Sequence, residues 1–396
     1  MEKRAILPLA EYFKDIQDPR VDRCKKYRLL DIIIITLLAT LCGAEGWEDI
    51  DRFALARKDQ LKKFLLLENG IPGHDVYRRV FVRLIPQQIE ECFMAWIRAV
   101  RSTIDKEIIA IDGKTLRGSL DRNKGIKAAH LVSAWASENR LVFAQVKVDD
   151  KSNEITAIPQ VLSMIALQGC IVTIDAMGCQ YEIANQIVEQ KADYVFSLKG
   201  NQGTLHKDVQ EYFANVDFDI PKEDTQVLIT TDVDHGRIEI RKHAISSRVD
   251  WLTKRHAHWS TIKSIGVIEA TREIGQKITR ERRYYVSSLD ANPELFARAA
   301  RTHWGIENSL HYVLDVAFRE DACRIKSGQA PENIAWIRKF AITLVRMDKD
   351  TKSSVKGKLK NLAWSEEYLE RQLFSSDLAD YDQPSTVKPV PYNYVL

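Results

Sequence analysis

The chain has 396 residues, 45% of them hydrophobic and 29% charged, the balance of a folded globular protein, which excludes a disordered or fibrous one. The 58 Lys and Arg against 55 Asp and Glu leave a net charge of +3, so total charge selects no partner, but its distribution does. Gly236 to Val286 holds 12 basic against 5 acidic residues, and Arg319 to Lys360 holds 11 against 5, two zones suited to polyanion contact or to a solvated basic face.

The first hundred residues read as helical. Leu29–Leu41 is almost wholly apolar, Glu48–Leu67 carries apolar residues at helical spacing, and Pro86 opens a third helix. Gly70–His74 is a loop by its Gly and Pro content. Residues 1–105 are therefore expected to form a helical module, for packing or for DNA binding, packing being the plainer reading. The longest apolar run, Ile32–Cys42, is too short to cross a membrane. The first residues lack a signal-peptide layout, and the six cysteines form no CxxC pair or zinc-ligand set. A cytoplasmic protein with reduced thiols is expected.

At Glu107 the pattern changes. Strands are predicted at Ile108–Asp112, His130–Ala136, Leu141–Val148, Cys170–Asp175 and Ala192–Leu198, with helices at Ile155–Ile165 and Tyr181–Gln190. The order β-β-β-α-β-α-β fits an α/β fold with one mixed sheet and helices on its faces. Residues 219–289 turn mostly to β, with Asp234-His-Gly236 as a hairpin signal. A long helix over Asn292–Phe318 and another over Ala330–Met347 follow. The expected division is a core in two parts, 106–218 and 290–350, around a β-rich segment at 219–289. Residues 351–396 are expected to form a basic helix and, after Ser375, a disordered tail.

Asp112 and Asp175 each close an apolar strand. Two acids on neighbouring strand ends repel each other unless a cation lies between them. Hard divalent ions want oxygen ligands, and two of them roughly 3.5–4 Å apart can serve both sides of a phosphodiester displacement. A lone strand-end Asp is more often a cap or loop anchor. The long helix offers Glu307, His311 and Asp315 at i, i+4, i+8, on one face. No GxGxxG or Walker A loop is present, since Gly113-Lys-Thr lacks the first glycine of the latter.

The segments Ile111–Ser119 (IDGKTLRGS), Lys151–Pro159 (KSNEITAIP), Thr173–Gln180 (TIDAMGCQ), Lys199–Gln202 (KGNQ) and His303–His311 (HWGIENSLH) resemble the H-repeat-associated (ISAs) group of insertion-sequence transposases. Gly43–Ile50 and Gly70–Asp75 resemble the helical module that precedes the catalytic domain of that group, so the likeness spans about residues 1–375. It implies an RNase H-like sheet flanked by helices. It implies a catalytic and metal-binding triad of Asp112, Asp175 and Glu307, holding two Mg²⁺ or Mn²⁺ ions, with a β-rich insertion before the last catalytic helix. It also implies double-stranded DNA as substrate and a homodimer in the DNA complex. Where many related enzymes carry Tyr, Arg, Glu and Lys around the third acid, this chain has Ala300, His303, Glu307 and Leu314. Arg301 and Lys326 are candidates for the missing cations, and Trp304 resembles a position that stacks near a flipped base. Lys114, Arg117 and Lys199, with Arg301, His303, Trp304, His311 and Lys326, are candidate DNA contacts. Arg338, Lys339, Arg346 and Lys349 are candidates to line a DNA channel, and Trp251 and Trp259 to pack the β-rich segment. The function implied is metal-dependent cleavage at element ends followed by 3′-OH strand transfer. The rivals are a nuclease that cuts without joining, and a catalytically inactive DNA-binding protein.

Overall fold

An apolar segment with no polar face has to be buried all round, and Leu29–Leu41 is: its ten residues from Ile32 to Leu41 are all buried. The computed structural model describes residues 9–374 except 101–106, 126, 150–151, 222 and 235–236. The expected tail after Ser375, and His235 and Gly236 of the hairpin turn, lie outside the described residues. The N-terminal helices are α1 (Ala10–Phe13), α2 (Leu29–Leu41), α3 (Trp47–Ala56), α4 (Lys58–Leu61), α5 (His74–Phe81) and α6 (Pro86–Val100). The span Glu48–Leu67 is thus broken into α3 and α4, and α5 follows directly on the predicted loop.

The central elements run β1 (Ile108–Thr115), β2 (His130–Ala136), β3 (Leu141–Lys147), α7 (Glu154–Ser163), β4 (Ile171–Ile174), α8 (Tyr181–Glu189), β5 (Asp193–Leu198) and α9 (Gly203–Tyr212). Next come β6 (Thr225–Asp234), β7 (Arg237–Ser246), α10 (Asp250–Arg255), β8 (Ser264–Ile274) and β9 (Lys277–Ser287). All nine strands form one sheet in the order β3-β2-β1-β4-β5-β9-β8-β7-β6. Only β1–β4 and β4–β5 are parallel. The β-rich segment is not set apart from the core, because β9 pairs antiparallel with β5 from Val195↔Ser287 to Leu198↔Tyr284. Trp259 is buried, and Trp251 stacks on Tyr212 at 5.9 Å, as the packing reading expects.

The last helices are α11 (Pro293–His303), α12 (Tyr312–Ala317), α13 (Ala330–Met347), α14 (Val355–Trp364) and α15 (Glu366–Phe374). The predicted helix Asn292–Phe318 is not uniform. Asn292 caps α11 by accepting from the Leu295 N–H, and a π-helical turn, Ile306–His311, lies between α11 and α12. Phe296 of α11 is fully buried and packs on the sheet, where a side chain at Gly266 would meet its ring within 2.5 Å. That glycine is what lets the ring reach the strand.

Helix α13 binds the N-terminal module to the rest. Phe340 lies 4.9 Å from Phe13, 4.8 Å from Phe93 and 5.2 Å from Trp96. Arg338 and Lys339 face this interior rather than a channel: both are buried, Arg338 lies 3.9 Å from Glu320, and burial pushes the Lys339 amine down to about 8. Arg346 lies over the Trp135 ring at 4.5 Å. The fully buried Asn333 amide donates to the carbonyls of Phe81 and Leu84, both at 2.8 Å, fastening α5 to α13. Asn333→Ala leaves two buried carbonyls unpaired and is expected to cost about 2–4 kcal/mol. The midpoint of urea unfolding reads this, and a wild-type midpoint would show that the contact carries no stability.

Candidate active site

The parallel ladder between β1 and β4 ends at Ile111↔Ile174. Asp112 and Asp175 are therefore the next residues on two adjacent strands. The first strand runs further than predicted, to Thr115, but beyond Ile111 only β2 accompanies it. Asp112 thus sits inside β1 and yet at the open edge of the β1–β4 pair, where strand ends of such sheets present side chains.

Asp175 is held by its own loop. Its Oδ1 accepts from the N–H groups of Met177 at 2.9 Å and Gly178 at 3.2 Å, and neither bond uses Oδ2. The loop is braced by the turn after β5. The Asn201 amide donates to the Ala176 carbonyl, and the Gln202 amide donates to the Cys179 carbonyl at 2.8 Å. The TIDAMGCQ and KGNQ segments therefore pack as one unit. Lys199 opens that turn, exposed, on the same edge of the sheet.

Glu307 and His311 come from the π-helical turn. A widened turn is a common departure from α geometry at functional sites. Here it turns both residues toward β1. The His311 Nδ1 lies 3.5 Å from Oδ2 of Asp112 and 3.5 Å from Oε2 of Glu307. Ligand atoms of Asp112, Glu307 and His311 all lie within 4.8 Å of one another. His311, a candidate DNA contact in the sequence, is instead buried between the two acids. Burial first, then the charge of Glu307, pushes the Asp112 carboxyl well above its ordinary value of 3.8. The hydrogen bond to His311 holds Glu307 below the usual carboxylate range.

His303, another candidate contact, turns inward: its Nδ1 lies 3.2 Å from the Thr173 hydroxyl on β4, and burial lowers its pKa, so it is neutral at pH 7. Lys114 also turns inward. Its side chain is 10% exposed, and its Nζ lies 2.6 Å from Oδ2 of Asp315 and 3.7 Å from Asp321. It adds to the pull that keeps Glu307 ionised. Ala300 and Leu314 are buried in the apolar core, so the positive charge beside the helical acid comes from the first strand. Sequence reasoning placed Lys114 on DNA because contacts between β1 and α12 cannot be read from spacing.

The remaining candidates lie outward. Arg117 is largely exposed, 3.5 Å from Asp321, and shares a depression of about 520 Å³ with Arg122, Arg324 and Lys326. Arg301 and the half-exposed Trp304 border a separate cup of about 310 Å³ between α11 and strands β7–β9. The Arg283 guanidinium lies 4.8 Å from the Trp304 ring there. The sequence did not single out Arg283, Arg241 or Arg272 in this cup; only sheet register brings them together.

The donor set suits a hard divalent cation. Asp112 and Glu307 converge from opposite elements and Asp175 stands beside Asp112, while the imidazole between the acids orients them. No helix among the described residues is long and apolar enough to cross a membrane. Residues 103–344 match a family model described as Transposase DDE domain, and residues 10–97 match one described as DDE_Tnp_1-associated. The chain is 41% identical over 375 residues to the "H repeat-associated putative transposase YhhI" of Escherichia coli (strain K12), covering 94% of this chain and 99% of that protein. It is 42% identical over 244 residues to the "H repeat-associated putative transposase YbfD" of the same strain, covering 62% of this chain and 96% of that protein. A solved piggyBac transposase synaptic complex with hairpin DNA aligns with 97% of this chain and 79% of its own. Its TM-score of 0.43 and 13% identity are too low to establish a shared fold.

The raised Asp112 pKa fixes the sign of a pH effect. The folded metal-free chain holds this proton more tightly than the unfolded chain. Stability from this group is full below 3.8 and is lost as pH rises from there through the raised folded value. Asp112→Asn, which cannot ionise, is expected to raise the metal-free melting temperature at alkaline pH and to flatten its pH dependence. Mn²⁺ is expected to stabilise the wild type only. Thermal melts between acidic and alkaline pH check this, and parallel profiles for the two proteins would refute it.

Proposed function

The chain belongs to the DDE transposase family, and from that premise we propose that it cuts DNA at insertion-sequence ends and joins the freed 3′-OH to target DNA. The reading takes the strands β1–β5 with their helices as an RNase H-like core. It takes Asp112, Asp175 and Glu307 as the catalytic acids. The observation that carries it is the meeting of Glu307 from the π-helical turn with Asp112, beside Asp175 at the open edge of the parallel pair.

Two divalent cations, Mg²⁺ or Mn²⁺, would be held by Asp112, Asp175 and Glu307, and would supply charge neutralisation and an activated water for in-line displacement at phosphorus. The chain's own groups do the positioning. The Met177 and Gly178 N–H groups fix the Asp175 carboxylate. His311 fixes the relative orientation of Asp112 and Glu307. The hydrogen bond from His311 holds Glu307 in its ionised form, and Lys114, anchored on Asp315, adds a smaller pull in the same direction. Lys199, exposed after β5, and Arg117 and Lys326, which line the basic depression, would contact phosphates and orient DNA without reading its sequence. Arg301 and Trp304 would receive a strand or an unstacked base in the separate cup. Joining needs two ends held together, so the DNA complex is expected to be a homodimer.

Cleavage of a supercoiled plasmid carrying the element's own ends is expected to require Mg²⁺ or Mn²⁺. It should fall at least about 100-fold in Asp112→Ala, Asp175→Ala and Glu307→Ala. Pre-cut ends should be joined by the wild type, which separates a transposase from a nuclease that only cuts. Cleavage that survives Glu307→Ala would remove the helical acid from the triad. DNA binding without cleavage in all four proteins would favour the inactive DNA-binding reading.

A further inference from the structure

A second pairing of an acid with an imidazole stands against β1, and the proposed chemistry does not use it. In the register of β1 with β2, Thr115 lies opposite His130 and Gly113 opposite Val132. Gly113, Thr115 and His130 therefore share one face of the sheet, while Asp112 and Lys114 share the other. Glu154, in the KSNEITAIP segment, is the first residue of α7, after the cap Asn153, which accepts from the Ile155 N–H. Its Oε1 lies 2.6 Å from Nε2 of His130, and Nδ1 of the same ring lies 2.8 Å from the Thr115 hydroxyl. An ionised carboxylate only accepts, so the Nε2–H donates to Glu154 and Nδ1 accepts from Thr115. This bond engages Oε1 alone, and Oε2 of Glu154 makes no hydrogen bond among the described residues.

The pair rests on the backbone next to the catalytic acid. A Cβ at Gly113 would stand 2.1 Å from Oε1 of Glu154 and 2.6 Å from Nε2 of His130. A glycine directly after Asp112 is what lets the carboxylate lie there. Beyond Ile111 the strand β4 no longer accompanies β1, so an acid on either face of β1 borders the same open edge. Glu154 and Met177 line one cavity of about 300 Å³, and the Met177 N–H is one of the two that fix Asp175. Glu154 is thus placed between the strand of Asp112 and the loop of Asp175. After burial and Glu307, the charge of Glu154 also raises the Asp112 carboxyl, so the two acids act on each other across the strand.

We propose that Glu154 is a fourth acid of the divalent-cation site, held in place by His130 on the face of β1 opposite Asp112. This rests on Asp112, Asp175 and Glu307 holding the cations, and adds a carboxylate from the other side of the strand. Three carboxylates carry one negative charge fewer than two divalent cations carry positive, and Glu154 supplies the difference. Carboxylates that bind metal are themselves hydrogen-bonded, which orients the oxygen left for the ion. His130 does this for Glu154 as His311 does for Asp112 and Glu307. A clamp between α7 and β1 would need only the bond through Oε1; the uncommitted Oε2 beside the open edge is what a ligand needs.

The test is titration of the full-length metal-free protein with Mn²⁺, the free ion being read from its electron paramagnetic resonance signal. Glu154→Gln keeps the side chain's size and an oxygen for His130 but removes the charge. It is expected to weaken Mn²⁺ binding at least about 10-fold, with a metal-free melting temperature no lower than that of the wild type. Glu154→Asp, which keeps the charge and shortens the reach, is expected to bind more weakly than the wild type and more tightly than Glu154→Gln. Wild-type affinity in both variants, with binding lost in Asp112→Ala, would overturn this proposal and leave the three-acid site standing. A lowered melting temperature with unchanged affinity would also overturn it, by assigning Glu154 to holding α7 on β1. A wild type that binds no Mn²⁺ would overturn both this proposal and the cation site it rests on.

Discussion

One carboxylate, Asp112, must be taken largely out of water and held close to a second, half-exposed one, Glu307, without a permanent counter-charge of equal strength between them. Asp112 is largely buried, Glu307 faces it, and one imidazole stands 3.5 Å from each. Desolvation first, and then repulsion by Glu307, push the Asp112 carboxyl upward, so in the metal-free chain the site is held against an electrostatic penalty. Much of the surrounding structure offsets that penalty. Lys114 comes up from the same strand and is itself secured by Asp315 and Asp321. The π-helical turn carries His311 to the gap. Behind them, Arg338 and Lys339 of α13 lie buried next to Glu320. A binding site for a multivalent cation has this character: strained in its absence, relieved in its presence.

The same constraint explains why rigid pieces surround the site. The acids come from a β-ladder edge, a loop bonded to its own Asp, and a helix packed on the sheet through Phe296. None relies on a long free loop. The N-terminal helices contribute by immobilising α13 through stacked and edge-on rings around Phe340. Catalytic geometry set by packed elements holds position better than geometry set by loops.

Much of this was legible in the sequence. The apolar runs before Asp112 and Asp175 are true strands, because buried parallel strands read as short continuous apolar segments. Leu29–Leu41 and Ala330–Met347 form helices with the predicted bounds. Helices α5 and α9 were not anticipated: HDVYRRVF and GTLHKDVQEY are short and largely polar, so their apolar period is weak and tertiary packing decides them. The inward turn of Lys114, His303 and His311 was not legible either. A charged or imidazole side chain near an acid reads as a surface contact until the partner element is known. The same is true of Arg338 and Lys339, whose helix looks basic in sequence and is buried in the fold. The joining of β9 to β5 depends on long-range register, which composition does not carry.

The central claim is that Asp112, Asp175 and Glu307 form one cation-binding site. Crystals of the full-length protein soaked in Mn²⁺, with anomalous diffraction data, test it most directly. The account predicts manganese at the edge of the β1–β4 pair, with carboxylate oxygens of all three acids as ligands and His311 hydrogen-bonded beside them. Manganese bound elsewhere, or at this edge without Asp175 or Glu307, would contradict it.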